Sequence, residues 1–353
     1  MSENQALQCA HPVDLLHSNA NLLAAWVPQQ WADREKSDRK KIATRVIHAI
    51  DLQLQQLDRQ AREMGKPPII PDPASVLMCT FAFLQLGLVP MGGLVGHAYL
   101  LPFWSGKLTR PDGKQGMHAM APCIGYRGYE ELAARSGIRQ TVANIVFSGD
   151  TWSEEGAVID ACRNHRPGPN ATKASPPSLW RYAYCYGVWL DGTYTEPRLM
   201  AGREIADDRE ELIGRKNYAG FATDKWNALP WARKTVIRRF YGPGGIALAA
   251  AYGGIAPAVL GAQIDAAGEA GKLRDVFEEA ILSAHGADVS ADAIGQARQL
   301  TAGVANVQQD REGGAPRTPA EQLEQQRRKP ADEPPPMPPD LEGWARGNAP
   351  EEP

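Results

Sequence analysis

Three features of the sequence predict an α+β fold. Apolar residues recur at helical spacing near the start, and strand-like runs flank short Asp-Gly turns in the middle. The order of helices, hairpin, helix, strands and helix never alternates as βαβ units do. With 43% hydrophobic and 22% charged residues among 353, the composition is that of an ordinary soluble globular chain.

Residues 1 to about 35 give few signals beyond Trp26, Pro28 and Trp31, which fit a short turn. The stretch 37–65 is a helix, with Ser37 as its candidate cap and Ile42, Val46, Ile50, Leu54 and Leu57 along one face. Gly65, Pro67 and Pro68 stop it, which makes residues 1–65 an N-terminal helical lobe. A second helix, "DPASVLMCTFAFLQLGLVP", enters through Asp72 with Pro73 in its first turn and ends at Gly87 and Pro90. It is apolar nearly all round, so it is expected to be fully buried. "GHAYLLPFW" and "GMHAMAPCIGY" then flank Asp112-Gly113, a hairpin signal.

"RGYEELAARSG" is a helix stopped by Gly137, and "RQTVANIVFSGDTW" is a strand. "SLWRYAYCYGVWLDGTYTEPRLM" is a strand pair turning at Asp191-Gly192. A loop leads to a last core helix around "WARKTVIRRF", and the core is assigned to residues 66–260. A helical extension is expected over 261–304, followed by a disordered tail over 305–353 that holds ten prolines. From Gln308 onward ten acids stand against six bases, a net of −4, which leaves the rest near +1 of the chain's −3. A near-neutral body can still carry a concentrated basic groove.

Five scattered cysteines form no CxxC pair, as expected of reduced cytosolic thiols. There is no basic segment followed by an apolar run at the start, so no signal peptide is expected and the protein is read as cytoplasmic. The longest apolar stretch is Ala-rich and broken by glycines and a proline, so no membrane association is expected. GxxxxGK[ST] and HExxH are both absent, which argues against an ATP cradle and a zinc-hydrolase site.

"WARKTVIRRF" places four basic residues in ten positions with no carboxylate among them. On a helix, Ala232, Val236, Ile237 and Phe240 share one side. Trp231, Lys234, Thr235 and Arg238 share the other, with Arg239 at its margin and Arg233 as the fourth base. Cations that track phosphates beside an aromatic that can stack on a base suit single-stranded nucleic acid. The alternative is a surface helix answered by distant acids such as Asp207 or Glu210. Arg127, at a helix start between Tyr126 and Tyr129, is a second candidate phosphate contact. Arg135 fits either a ligand role or an i,i+4 pair with Glu131. Lys107, Arg110 and Lys114 in or beside the hairpin loop fit either DNA contacts or a solvated turn. Asp150, Glu154, Glu155, Asp160 and His165 lie close enough in sequence to suggest a second class of function, a Mg²⁺-dependent nuclease. A third is a structural oligomer whose basic surface answers acids on a neighbouring subunit.

Three stretches, in order and spacing, resemble the RecT/Redβ family of phage-type single-strand annealing proteins. They are "DPASVLMCTFAFLQLGLVPMGGLVGHAYLLPF", "IGYRGYEELAARSG" and "WARKTVIRRF", and "NHRPG" at 164–168 adds to them. The similarity covers about residues 35 to 245. It implies a small twisted sheet with a central helix, flanked by the N-terminal lobe, with DNA in a positive groove between lobe and core. It also implies ATP-independent binding of single-stranded DNA, pairing of complementary strands through an annealed duplex intermediate, and assembly into rings or helical filaments. No cofactor or bond chemistry is implied, although Mg²⁺ is a possible modulator. The setting it implies is a bacterial cytoplasm, in a phage or prophage context. Carried over by position, Arg127, Lys234, Arg238 and Arg239 would line the groove, and Tyr126, Tyr129 and Trp231 would pack against sugars or bases. The C-terminal region would be the place for a phage exonuclease or a host single-strand-binding protein. The chain departs from the family pattern at Trp231, where a Met is usual, and in "PGGIALAAAYGG" after the basic helix.

Overall fold

The protein is described by a computed structural model covering residues 11–91, 96–110, 113–171, 179–207, 228–242, 245, 246 and 248, without the side chains of 228–231. The expected extension over 261–304 and the tail over 305–353 lie outside the described residues, as do the first ten residues and residues 208–227.

The weak signals before residue 35 resolve into three short helices, α1 (Pro12–Ser18), α2 (Ala20–Ala25) and α3 (Gln29–Glu35). Trp26 and Trp31 are fully buried among them. The long helix α4 (Arg39–Glu63) is capped by Asp38, not Ser37: the Asp38 carboxylate accepts the Lys40 N–H at 2.7 Å. Lys36, in the left-handed conformation at φ 50°, ends α3 and turns the chain toward that cap. Ile42, Val46, Ile50 and Leu54 are buried as their spacing predicts. The next helix, α5 (Pro73–Leu86), begins at Asp72 and stops at left-handed Gly87, and every side chain from Ala74 to Leu86 is buried.

Strands β1 (Ala98–Thr109) and β2 (Gln115–Ile124) pair antiparallel from Ala98↔Ile124 outward, joined by a turn in which the Gly113 N–H bonds to the Arg110 carbonyl. Helix α6 (Tyr126–Arg135) follows, then β3 (Ile138–Phe147), α7 (Val158–Asn164), β4 (Trp180–Trp189), β5 (Arg198–Ala201) and α8 (Ala228–Tyr241). The strands pair antiparallel throughout, with one isolated parallel bridge between Pro71 and His118, which makes the fold α+β. The expected single small sheet is two sheets, a β1–β2 ribbon and a three-stranded β3–β4–β5 sheet, because α6 interrupts the chain between them. Helix α7 was not expected; its segment reads as a charged loop, and only Ala161 and Cys162 are buried on it.

Alternation divides the three-stranded sheet into two faces. Ala143, Ile145, Ala183 and Cys185 join the main core with α6 and α8. Val146, Tyr184 and Tyr186 look the other way and pack with Cys162 of α7 in a second, smaller cluster. Among the described residues the ribbon's inner end has no third strand on either side, and side chains supply the missing partners. Gln53 of α4 donates to the Ala98 carbonyl at 3.2 Å and accepts the Leu100 N–H at 2.8 Å. On the opposite edge Ser75 of α5 accepts the Met120 N–H at 2.9 Å, and His118 exchanges backbone hydrogen bonds with Ile70 and Asp72.

The start of α6 is seated against the start of β1 by two glycines. A Cβ at Gly125 would lie 2.1 Å from the Gly96 carbonyl oxygen, and one at Gly128 would lie 2.1 Å from that of His97. Gly128→Ala should therefore cost about 2 kcal/mol of stability or more, since backbone must move. Gly106→Ala on β1, where a Cβ meets nothing within 4 Å, should stay within about 0.5 kcal/mol of the parent. Urea denaturation of both variants checks this, and equal stabilities would contradict the close docking.

Candidate nucleic-acid interface

Two basic elements far apart in sequence meet at one aromatic ring. Tyr126 opens α6, and its neighbour Arg127 donates from Nε to the Tyr126 hydroxyl at 3.0 Å, its guanidinium carbon 5.8 Å from the ring centroid. Lys234, on α8, brings its Nζ to 5.5 Å from the same centroid. Arg127 and Lys234 are exposed and Tyr126 is half-buried.

Helix α8 is divided as its periodicity predicts. Ala232, Val236, Ile237 and Phe240 are buried in the main core, and Arg233, Lys234, Arg238 and Arg239 are exposed. Among the described residues neither Lys234 nor Arg238 has a carboxylate partner. Arg233 reaches β3, where its Nη2 donates to the Asn144 side-chain oxygen at 2.8 Å. Nothing in the local sequence marks Asn144 as that anchor, because the pairing arises only when α8 packs on β3. The Trp231 side chain lies outside the described residues. At the last turn Tyr241 is buried, stacked on Tyr129 at 6.3 Å and 14° and bonded to the Thr141 hydroxyl at 2.6 Å.

Two expected contacts turn inward instead. Tyr129 is only 3% exposed, one full turn of α6 after Gly125, so its ring is a packing surface for α8 and does not face a ligand. The Arg135 side chain is 13% exposed. It pairs with Glu131 at 2.9 Å and donates to the carbonyls of Leu86 and Gly87, the end of α5. Those carbonyls have no partner within their own helix, so Arg135 serves as a cap in trans. Burial raises the Glu131 carboxyl, but the hydrogen bonds and charges of Arg34 and Arg135 more than reverse this and hold it below the ordinary carboxylate range. Burial pushes the His97 imidazole down, and the cations Arg135 and Arg127 act in the same direction, so it adds no charge here at neutral pH. Burial pushes the Glu130 carboxyl up, against the pull of Arg127.

Lys107 and Lys114 are exposed on the outer half of the ribbon. Nine residues of strand separate Lys107 from the Ala98 end, a span of about 30 Å, so the ribbon tip is a separate region from the Tyr126 junction.

The acidic residues between 150 and 165 do not converge. The Asp150 side chain is buried with both oxygens engaged: its carboxylate takes the Phe147 N–H at 2.8 Å, the Gly168 N–H at 2.7 Å and His165 Nε2 at 2.8 Å. His165 Nδ1 lies 3.1 Å from the Tyr184 hydroxyl, whose pKa burial pushes up to about 12. Glu154 pairs with Arg181 across the surface, and Asp160 faces Arg163. Among the described residues no three His, Cys, Asp or Glu side chains are placed to hold a metal. The nuclease reading therefore loses its site: the residue that would have led it is a structural clasp. No helix among the described residues is long and apolar enough to cross a membrane.

Burial works against the Asp150 carboxylate, but the hydrogen bonds from Phe147, His165 and Gly168 outweigh it and hold its pKa low. Asp150→Asn is expected to lose about 2 kcal/mol at neutral pH. The wild type holds that advantage above the unfolded carboxylate's pKa, about 4, and gives it up as pH falls through the lower folded value. The difference between the two proteins should thus close on acidification; urea curves at pH 7 and at successively lower pH measure it, and a widening gap would contradict the clasp.

The RecT family model matches residues 52–243, from the middle of α4 to the end of α8. The chain is also 35% identical over 176 residues to Protein RecT of Escherichia coli strain K12, an alignment that takes in 48% of this chain and 55% of that protein. The chain thus spans about half the length of the curated relative it matches.

Proposed function

The chain belongs to the RecT family, and from that premise we propose that it binds single-stranded DNA along the α6–α8 surface and anneals complementary strands in recombination without ATP. The observation that supports this most is the convergence of Arg127 and Lys234 on the Tyr126 ring, within the matched residues and continuous along α8 with exposed Arg238 and Arg239. Arg233, held by Asn144, extends the row.

The chemistry asked of this surface is limited. No bond is made or broken. Annealing requires that the phosphates of one strand be neutralised so that a second strand can approach, while base edges stay open for pairing. Guanidinium and ammonium groups on the exposed side of a helix do this without reading sequence. Each phosphate contact releases counterions, so binding falls steeply as salt rises. Multiple copies along one strand would hold it extended, which is how a ring or helical filament of this chain would act. Mg²⁺ enters this scheme only as a modulator of charge.

The experiment mixes the full-length protein with two complementary oligonucleotides in the absence of ATP and follows duplex formation by fluorescence across a salt series. Pairing faster than the protein-free control at low salt, suppressed by added salt, is the expected result; no acceleration at any salt would remove the proposal. Lys234→Ala with Arg238→Ala should weaken binding on every strand sequence and lower the salt slope by about one per lost phosphate contact. An unchanged slope would take these two residues out of the interface. The C-terminal region from 305 is proposed as the place where a partner exonuclease or single-strand-binding protein docks. Its deletion should spare annealing in vitro, and loss of annealing would show that it belongs to the DNA-binding machinery.

A further inference from the structure

The half-buried ring at the centre of the junction has a role different from that of a base platform. Tyr126 is the first residue of α6, and its neighbourhood is already filled by two cations. Arg127 donates to its hydroxyl oxygen at 3.0 Å with the guanidinium carbon 5.8 Å from the centroid, and the Lys234 ammonium sits 5.5 Å from that centroid. On its inner side Tyr126 packs against the main core. Behind it Gly125 lies close enough to Tyr99 that an added Cβ would sit 2.8 Å from the Tyr99 ring. A base stacking on Tyr126 would have to displace a cation from the ring's surroundings or push the ring out of its seat.

We infer that Tyr126 is a positioning residue: its ring and hydroxyl hold Arg127 and Lys234, from two different helices, at a fixed spacing for the phosphates of one strand. The inference rests on the proposed single-strand binding and adds to it the element that orders the cations. Long basic side chains lose rotamer freedom when they bind. A ring quadrupole that attracts both cations, with an oxygen that accepts from one of them, imposes part of that order before DNA arrives. The like charges that the ring gathers repel each other, and an incoming phosphate relieves the repulsion. The ring face thus stores the interface in its binding geometry while leaving the base edges of the bound strand untouched.

The test measures binding of dye-labelled oligo(dT), and of an abasic oligonucleotide of equal length, by the full-length protein across a salt series. Tyr126→Leu removes ring and hydroxyl, and Tyr126→Phe removes only the hydroxyl. Each is made alone and in an Arg127→Ala, Lys234→Ala background. Tyr126→Leu should weaken binding roughly five- to twentyfold, to the same extent on the base-bearing and abasic strands. Tyr126→Phe should lose no more than about threefold. In the double-alanine background the leucine change should cost about twofold or less, since the cations it positions are gone. A loss confined to oligo(dT), or one of equal size in both backgrounds, overturns the inference and makes the ring a direct DNA contact. Wild-type binding by the double-alanine protein itself would instead overturn the phosphate reading on which the inference rests. Thermal unfolding of each variant is followed in parallel, and Tyr126→Met takes the place of the leucine variant if the latter is destabilised.

Discussion

The cationic junction depends on how closely the start of α6 can approach the chain at Gly96 and His97. With backbone carbonyls 2.1 Å from where a Cβ would stand at Gly125 and Gly128, no side chain fits at either position. The Gly125 N–H closes the contact by donating to the His97 carbonyl at 2.9 Å. This fixes where α6 begins, and therefore where Tyr126 and Arg127 stand. At the other end of the helix Arg135 binds the Leu86 and Gly87 carbonyls. A ten-residue helix is thus anchored at both termini before it meets α8. Tyr129 on Tyr241 then sets the distance to α8, and Lys234 arrives at the Tyr126 ring as a consequence.

The same economy of backbone satisfaction joins the N-terminal helices to the ribbon. A two-stranded ribbon exposes two unpaired edges, and at its buried root those edges have no water to turn to. Gln53 and Ser75 act as short substitutes for neighbouring strands, one from α4 and one from α5. Each is a buried polar residue on an otherwise apolar helix face, and each is paired, which is the condition for such residues to be tolerated. The Arg34–Glu131 ion pair adds a link from α3 to α6, but with side chains 43% and 32% exposed it contributes little beyond orientation. The lobe is held to the core by hydrogen bonds to backbone and by packing; surface charge has a minor part.

Much of this was legible in the sequence where one helix's own periodicity decides the outcome. The burial of Ala232, Val236, Ile237 and Phe240 on α8 and the exposure of its cations follow from 100° per residue alone, and α5 announces its burial by having no polar face. What could not be read is whatever depends on a partner element. Tyr129 and Tyr126 lie three residues apart on one helix, close to one face, yet packing against Tyr241 of α8 buries Tyr129 while Tyr126 stays half-buried. Arg135 looks like an ordinary i,i+4 partner of Glu131, which it is, but its second task at the end of α5 spans nearly fifty positions of sequence. Asp150 and His165 suggested metal ligands because local sequence shows acidic density and hides the backbone N–H groups of Phe147 and Gly168 that occupy the carboxylate.

Two kinds of polar chemistry lie beside the three-stranded sheet. On the α7 side, Asp150, His165 and Tyr184 form a closed chain of hydrogen bonds under Trp152, whose ring is 5.7 Å from Tyr184. The Asp150 carboxylate there is answered at short range, which suits a clasp. At the α6–α8 junction Lys234 lies against the Tyr126 ring and Arg127 donates to the Tyr126 hydroxyl, while Arg233 reaches past β3 to the Asn144 amide oxygen. These neutral groups orient a cation without cancelling it. A carboxylate in the place of Tyr126 or Asn144 would fix Lys234 or Arg233 more firmly, but it would also have to be displaced by each phosphate that binds. A surface that takes up and releases a polyanion, as proposed for this one, is better served by weak neutral partners. With a net charge near +1 outside the acidic tail, the body offers a strand little long-range attraction, and charge on its surface is screened within a Debye length of about 8 Å at physiological salt. Under the proposed binding, capture depends on local contact geometry, which the docked start of α6 sets and the Tyr126 ring would refine.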